Sequence, residues 1–262
     1  MPVATFITKW GISGSLNSQF TGLWGLTLDA SGNVYVTETG NNRVQKFNSS
    51  GAFMAKWGSI GTTDGFLSYP VGIAVDGQGN SYVLELNNHR VSKFNASGAF
   101  VYKWGGVGNG DSQLMAPKGI AVDGSGNVYV ADTGNNRVQK FSSTGTPITR
   151  WGILGSGQGQ FNAPFAIAVD SQGNVYVAEY SNNRVQKFSN TGAFITMWGT
   201  YGYDDGQLFN PTGVAVDGQG NVYVTDFGND RIQKFSPNLS GFLGKWGATG
   251  SGDGQFKQPY GI

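Results

Sequence analysis

The residues of this chain that could do chemistry are five acid–arginine couples: Glu38 with Arg43, Glu85 with Arg90, Asp132 with Arg137, Glu179 with Arg184 and Asp226 with Arg231. In each, four turn-forming residues separate a carboxylate from a guanidinium, a spacing that can bring the two into pairing range across a hairpin. Such a pair could grip a polar ligand, or it could simply hold a turn. The fivefold recurrence favours the second reading. An active site breaks the symmetry of a repeat, and five identical pairs do not.

Other reactive constellations are sparse. His89 is the only histidine, so a three-histidine metal site cannot be built. A Ser–His–Asp triad would have to rest on that residue, with no nucleophile elbow in sight. His89 stands where the other repeats carry Asn or Asp, which predicts an exposed turn residue. Cysteine is absent, removing disulfides, thiol catalysis and zinc–thiolate sites together. The glycine-rich run at 155–159 neither opens a helix nor carries the lysine of a phosphate loop. Asp204-Asp205-Gly206 and Asp253-Gly254 lack the alternating ligand pattern of a calcium loop. No catalytic, cofactor or metal site is expected.

What positions these couples is a period. Tryptophans 10, 57, 104, 151 and 198 are spaced 47 apart, Trp246 follows after 48, and Asp29, Asp76, Asp123, Asp170 and Asp217 keep the same step of 47. A period in the forties signals stacked or ring-like repeats and outranks any local motif. Each repeat reads as four short strands. A small apolar strand such as Gly119-Ile120-Ala121-Val122 leads to an Asp-x-x-Gly-Asn turn. Val128-Tyr129-Val130-Ala131-Asp132 is apolar on both faces, as in a sheet packed on both sides. Arg137-Val138-Gln139-Lys140-Phe141 alternates, and a last strand ends on Trp151. This is one propeller blade.

These residues, G-I-A-V-D, G-N-V-Y-V-A-D, G-N-N-R-V-Q-K-F and W-G, resemble the NHL repeat, and the resemblance recurs five times over nearly the whole chain. It implies an all-β propeller of four-stranded blades in a single domain over 1–262. The complete repeats fall at about 11–57, 58–104, 105–151, 152–198 and 199–246. Residues 1–10 and 247–262 are expected to form an incomplete sixth blade, with residues 5–10 as its outermost strand. Laid against the repeat, the ends lack an equivalent of residues 121–141. Three explanations stand open: a fragment of a longer protein, missing strands donated by another subunit, or closure on five blades. The family includes RNA-binding, protein-binding and sensor domains and lyases with histidine-rich metal sites, so the fold does not carry a function with it.

Composition narrows the field. Of the 262 residues, 39% are hydrophobic, enough for a core, while only 13% are charged and 43 are glycine, as suits many short strands and tight turns. The net charge of +1 gives no pull toward nucleic acid or anionic membrane, and each repeated arginine has its acid beside it, so the footprint of an RNA-binding face is missing. No apolar run is long enough to cross a bilayer as a helix.

If the shared residues build the scaffold, recognition lies where the repeats disagree. Leu86, His89, Tyr180, Tyr201, Tyr203, Phe227 and Asp230 depart from the pattern in loops that share one face, and they form the candidate partner-binding face. On the opposite face, Asn48, Asn95 and Asn238 open sequons for N-glycosylation, pointing to an extracellular or cell-surface protein. The expected function is non-enzymatic recognition of protein or glycan. The alternatives are a structural subunit joined through the incomplete blade, an RNA-binding domain and, last, a lyase-like propeller.

Overall fold

A computed structural model describes residues 6–237 and 241–262. Two short segments, β1 (Ile12–Ser13) and β2 (Gln19–Phe20), pair in parallel. Five four-stranded sheets follow in strict chain order. The first holds β3 (Leu23–Leu28), β4 (Val34–Glu38), β5 (Arg43–Phe47) and β6 (Phe53–Trp57). The second holds β7 (Pro70–Val75), β8 (Ser81–Glu85), β9 (Arg90–Phe94) and β10 (Phe100–Gly105). The third is β11 (Gly119–Val122), β12 (Val128–Asp132), β13 (Arg137–Phe141) and β14 (Pro147–Trp151). The fourth is β15 (Pro164–Val169), β16 (Val175–Glu179), β17 (Arg184–Phe188) and β18 (Phe194–Trp198). The fifth is β19 (Pro211–Val216), β20 (Val222–Asp226), β21 (Arg231–Phe235) and β22 (Phe242–Trp246). Among the described residues, helix is confined to single turns at Thr133–Asn135 and Phe227–Asn229. The chain is an all-β propeller of five antiparallel blades, as its repeat predicts.

Burial follows the sequence of each strand. Every residue of β4, β8, β12 and β16 is buried, because a strand apolar on both faces needs cover on both. The fourth strands β6 and β18 alternate between covered and exposed positions, as the outermost strand of a blade should.

The chain divides into two compact units. In the unit of residues 9–135 and 139–148, β3 packs on β7 and β7 on β11. One core there joins Val71, Tyr82, Leu84, Val91 and Trp104 to Val128, Val130 and Phe141. In the unit of residues 6–8, 136–138, 149–237 and 241–262, β15 packs on β19. Its core joins Tyr176, Ala178 and Val185 to Val214, Val222, Val224 and Phe235. The repeated tryptophan fills the same wedge in each unit. Trp57 meets Phe94 at 6.2 Å and Trp198 meets Phe235 at 6.0 Å between ring centroids. Its indole lies against a turn glycine of the following blade: a Cβ on Gly98 would come 2.8 Å from Trp57, and one on Gly192 2.6 Å from Trp151. Glycine is required there twice over, because φ is +83° at Gly98 and +89° at Gly192.

The ends differ from the sequence expectation. Residues 6–10 are irregular rather than an outer strand. A lone strand has no partner to complete its backbone hydrogen bonds, yet Trp10 keeps the repeat's wedge, its indole about 3.1 Å from where a Cβ on Gly51 would sit. Pro259 and Tyr260 likewise lie along β19 without forming a strand; Thr212 donates to the Pro259 carbonyl at 2.9 Å. The remainder of the expected outer strand, residue 5, lies outside the described residues.

The first turn of each blade is held by its aspartate. Asp217 Oδ1 accepts from the backbone N–H groups of Gln219 and Asn221 at 3.0 and 2.8 Å, and Oδ2 accepts from the Asn221 amide and the Tyr223 hydroxyl at 2.7 and 3.0 Å. Asp29 and Asp123 make the same set. Burial alone would raise these carboxyls, but the donated hydrogen bonds outweigh it and hold Asp29, Asp123 and Asp217 below the ordinary carboxylate value. Lys234 completes the motif with its ammonium 5.0 Å from the Tyr223 ring centroid. A carboxyl depressed on folding stabilises the protein fully above its unfolded value, about 3.9, and that stability is lost as pH falls through the folded value. Thermal melts across acid pH should therefore show stability falling below about pH 4. Asp217→Asn should be less stable at neutral pH and show a shallower acid slope than the parent.

Candidate recognition site

The acid–arginine couples are the first test of chemistry. β4 and β5 pair with Glu38 directly opposite Arg43, and the same register sets Glu85 against Arg90, Glu179 against Arg184 and Asp226 against Arg231. The Nε of Arg184 donates to Glu179 at 2.5 Å, and those of Arg43, Arg90 and Arg231 to their acids at 2.6 to 2.7 Å. The Glu179 carboxylate also accepts from the Asn162 backbone N–H, the Asn182 amide and the Gln186 amide. The rest of the Arg184 fork donates to the carbonyls of Ser156, Gly157 and Gln160 in the loop that enters the blade. Glu179 is 0% and Arg184 6% exposed. Asp132 and Arg137 are equally buried. The pairs of the first, second, fourth and fifth blades therefore clamp the entry loops of those blades and present no free charge to a ligand.

His89 and Asp230 of the candidate face have similar work. Asn42, His89, Asn136, Asn183 and Asp230 occupy one repeat position, all with φ between 51° and 54°. Each accepts a backbone N–H from the following loop. His89 Nδ1 takes that of Ala116 at 3.0 Å, Asn183 Oδ1 that of Asn210 at 2.9 Å, and Asp230 Oδ1 that of Gln258 at 2.6 Å. The second Asp230 oxygen accepts from Thr249, and these two bonds, opposed by slight burial and aided by Lys257, hold its carboxyl below the ordinary value. His89 is half-buried rather than an exposed turn residue, with Nδ1 committed as an acceptor. Leu86 packs against the core around Val71 and Leu84. These three members of the candidate face belong to the scaffold, His89 and Asp230 by tying their turns to the segment that follows.

The aromatic members belong together in the unit that carries the fourth and fifth blades. Tyr180 and Phe227 follow the buried acids Glu179 and Asp226, so the ion pairs fix the base of each ring. Tyr180 stacks on Phe165 at 5.7 Å and 27° and meets Phe227 at 6.3 Å. Phe227 meets Tyr260 at 5.0 Å, and Tyr260 returns to Phe165 at 6.4 Å and 31°. The four rings thus close a circuit. Phe165 is its buried floor, and the other three are half-exposed. Beside it, Gly228 donates to the Phe209 carbonyl at 2.8 Å, and Phe209 packs edge-on against Tyr201 at 5.3 Å and Tyr203 at 6.0 Å. Tyr201 and Tyr203 are 57% and 64% exposed and share a hydroxyl hydrogen bond of 3.0 Å, which raises the Tyr201 hydroxyl above its usual value.

Sequence reasoning found Tyr180, Phe227, Tyr201 and Tyr203 but passed over Phe165, Tyr260 and Phe209. A signal was available. The repeat position just before the inner strand's glycine or alanine is filled in turn by Trp24, Val71, Lys118, Phe165, Thr212 and Tyr260, a variable column in an otherwise regular repeat.

Among the sequons, Asn48 and Asn95 use Oδ1 to close their turns, accepting from the N–H of Ser50 and Ala52 and of Ser97 and Ala99. That leaves the amide nitrogen, the atom glycosylation would modify, outside the turn's own bonding. Asn238 lies outside the described residues. Among the described residues, no three His, Cys, Asp or Glu side chains are grouped to hold a metal ion.

Comparison with known proteins agrees with this geometry. The NHL repeat model matches residues 20–47, 67–94, 114–141, 161–188 and 210–235. No curated protein matches the chain by sequence. Solved structures similar in fold include virginiamycin B lyase from Staphylococcus aureus, 18% identical with a TM-score of 0.66 over 94% of this chain and 76% of the lyase chain. A chain of the nidogen–laminin complex is 18% identical with a TM-score of 0.67, over 94% of this chain and 86% of its own. A protein of unknown function from Bacteroides thetaiotaomicron is 19% identical with a TM-score of 0.70, over 95% of this chain and 66% of its own.

Removing one member of a buried, hydrogen-bonded pair leaves an uncompensated charge. Arg184→Ala should therefore cost about 3–5 kcal/mol in denaturant unfolding. His89→Asn should be near neutral, since the amide oxygen restores the acceptor seen in the sister repeats, whereas His89→Ala should cost roughly 1–3 kcal/mol for the orphaned Ala116 N–H.

Proposed function

The chain belongs to the NHL-repeat family, and we propose that it is a recognition scaffold without catalytic function, binding protein or glycan through the aromatic face of its fourth and fifth blades. One observation carries this reading. The residues able to do chemistry are repeated and bonded to each other, while the departures from the repeat gather as half-exposed rings on one face. Aromatic side chains offer large contact area with little conformational entropy to lose, which suits a recognition surface. The fold neighbour from the nidogen–laminin complex comes from a protein–protein assembly, and the lyase neighbour from an enzyme, so the fold permits both. The scarcity of free acid, base and histidine favours recognition here. The sequons at Asn48 and Asn95 support a site of action at the cell surface or outside the cell.

A second reading has its own observation. Leu26 and Leu28 of β3 are 43% and 58% exposed, whereas the inner-strand counterparts of Leu26, Ile73 and Ile120, are 5% and 7% exposed. An apolar strand face of that kind suits contact between subunits, as in a structural subunit assembled through its terminal blades. RNA binding has less support, because Arg43, Arg90, Arg184 and Arg231 are buried in their ion pairs and their charge is not offered to a polyanion.

Tyr180→Ser and Phe227→Ser, alone and combined, should abolish capture of a partner by the immobilised protein while the thermal transition stays cooperative. Partner binding that survives the double variant would refute the reading. Light scattering tests the second reading: a discrete monomer at high concentration would refute assembly through β3, and Leu26→Lys should dissociate any oligomer found.

A further inference from the structure

We propose that Asn48 and Asn95 are N-glycosylated, each carrying a saccharide on its side-chain nitrogen; the proposal rests on the extracellular reading above. The blade itself does not need asparagine at these positions. The turn that joins the third and fourth strands opens on Asn48, Asn95, Ser142, Ser189 and Ser236 in successive repeats. In the third and fourth blades a serine does the whole structural task. Ser142 Oγ accepts from the N–H groups of Thr144 and Thr146 at 3.3 and 3.1 Å, and Ser189 Oγ from those of Thr191 and Ala193 at 3.3 and 3.1 Å. In the first two blades, Oδ1 of Asn48 and of Asn95 takes the equivalent pair of N–H groups at 2.8 to 3.1 Å. Asparagine therefore adds one group that serine lacks, an amide nitrogen.

That nitrogen is available. Among the described residues, Nδ2 of Asn48 and of Asn95 has no hydrogen-bond partner, and neither is a buried orphan. The oxygen of the same amide is heavily engaged. Besides its two backbone donors, Asn48 Oδ1 accepts from the Ser50 hydroxyl at 2.8 Å, and Asn95 Oδ1 from the Ser97 hydroxyl at 2.7 Å. Hydrogen bonds into an amide oxygen favour the resonance form with positive charge on nitrogen, which makes its N–H groups more acidic. The hydroxyl two residues on is the one the acceptor motif requires, and the intervening residues are Ser49 and Ala96 rather than proline.

Access follows from the same turn. Ser49, Ser50 and Ala52 are exposed, as are Ala96, Ser97 and Ala99. The bonds that close each turn run only between Asn48 and Ala52, or between Asn95 and Ala99. The acceptor can therefore take this shape before the blade around it is complete. In the transfer, Nδ2 forms a bond to the anomeric carbon of a sugar activated as a lipid-linked pyrophosphate. The carbon–oxygen bond breaks, the pyrophosphate leaves with the electron pair, and one amide proton passes to a base of the transferase. Only Nδ2 is consumed, so Oδ1 keeps its three donors and the turn stays closed.

Peptide mapping by mass spectrometry of the full chain from its native source tests this. Trypsin cuts after Lys46 and Lys56 and after Lys93 and Lys103, which leaves each asparagine alone on its own peptide. Both peptides should carry a saccharide mass. In the full chain secreted from a glycosylating host, Asn48→Ser should strip the glycan from its own peptide alone. Its melting transition should not move, because the sister repeats use serine there. Ser50→Ala should also remove the glycan, whereas Ser50→Thr should keep it. Bare asparagines in the native chain, or a glycan on Asn48 that survives Ser50→Ala, would overturn the proposal. Bare asparagines on a chain recovered from the medium or the cell surface sink the glycan assignment and leave the extracellular reading standing. If the asparagines are bare and the native chain is found only inside the cell, both fall.

Discussion

The clamps of the first, second, fourth and fifth blades each turn on a carboxylate that has been taken out of water. A desolvated charge is tolerable only when its lone pairs are filled, and Glu179 is filled by an arginine, a glutamine, an asparagine and a backbone N–H. Meeting that demand brings together the second strand, the third strand and the loop entering the blade, because the donors come from all three. The arginine then binds the loop's carbonyls, so the loop cannot drift without stranding a buried charge. Variation within the motif respects the demand. Where the second repeat has Ser92 in place of glutamine, its hydroxyl reaches Glu85 at 2.6 Å.

That constraint explains why the surface can vary. Once the base of a turn is set by the ion pair, the next residue is free to change without disturbing the blade. Tyr180 and Phe227 exploit this freedom, and the rigid base beneath them is what lets two rings from different blades meet at 6.3 Å. The same logic separates His89 and Asp230 from the aromatic residues. They depart from asparagine in chemistry but keep its acceptor geometry, so they serve the scaffold while looking like site residues. Leu86 shows the converse, an apolar departure absorbed by the core of its own unit.

The apolar contacts between blades add what polar clamps cannot. Trp57, Trp104 and Trp151 each bridge their own blade and a turn glycine of the next, and the requirement for both φ > 0 and an absent Cβ makes that glycine part of the wedge. Trp10 preserves the arrangement against Gly51 without a strand to carry it. The exposed leucines of β3 mark where the same packing lacks a partner within its unit.

What the amino-acid sequence determined by itself is the repeated part. The step of 47 between aspartates and tryptophans, the two-faced apolar second strands and the acid–arginine spacing are local patterns, and local patterns declare strands, turns and their register. The candidate face was legible only in part. Tyr180 and Phe227 were visible as departures in a polar turn. Phe165, Tyr260 and Phe209 were not, since an aromatic residue inside or beside a strand reads as core until its neighbours are known. Tertiary structure alone decided that rings drawn from four separate segments close one circuit, that His89 accepts the Ala116 N–H, and that residues 6–10 form no strand. The reason is physical. Which side chains share a face, and whether a strand finds a partner, depend on segments distant in sequence, and no spacing within one repeat encodes them.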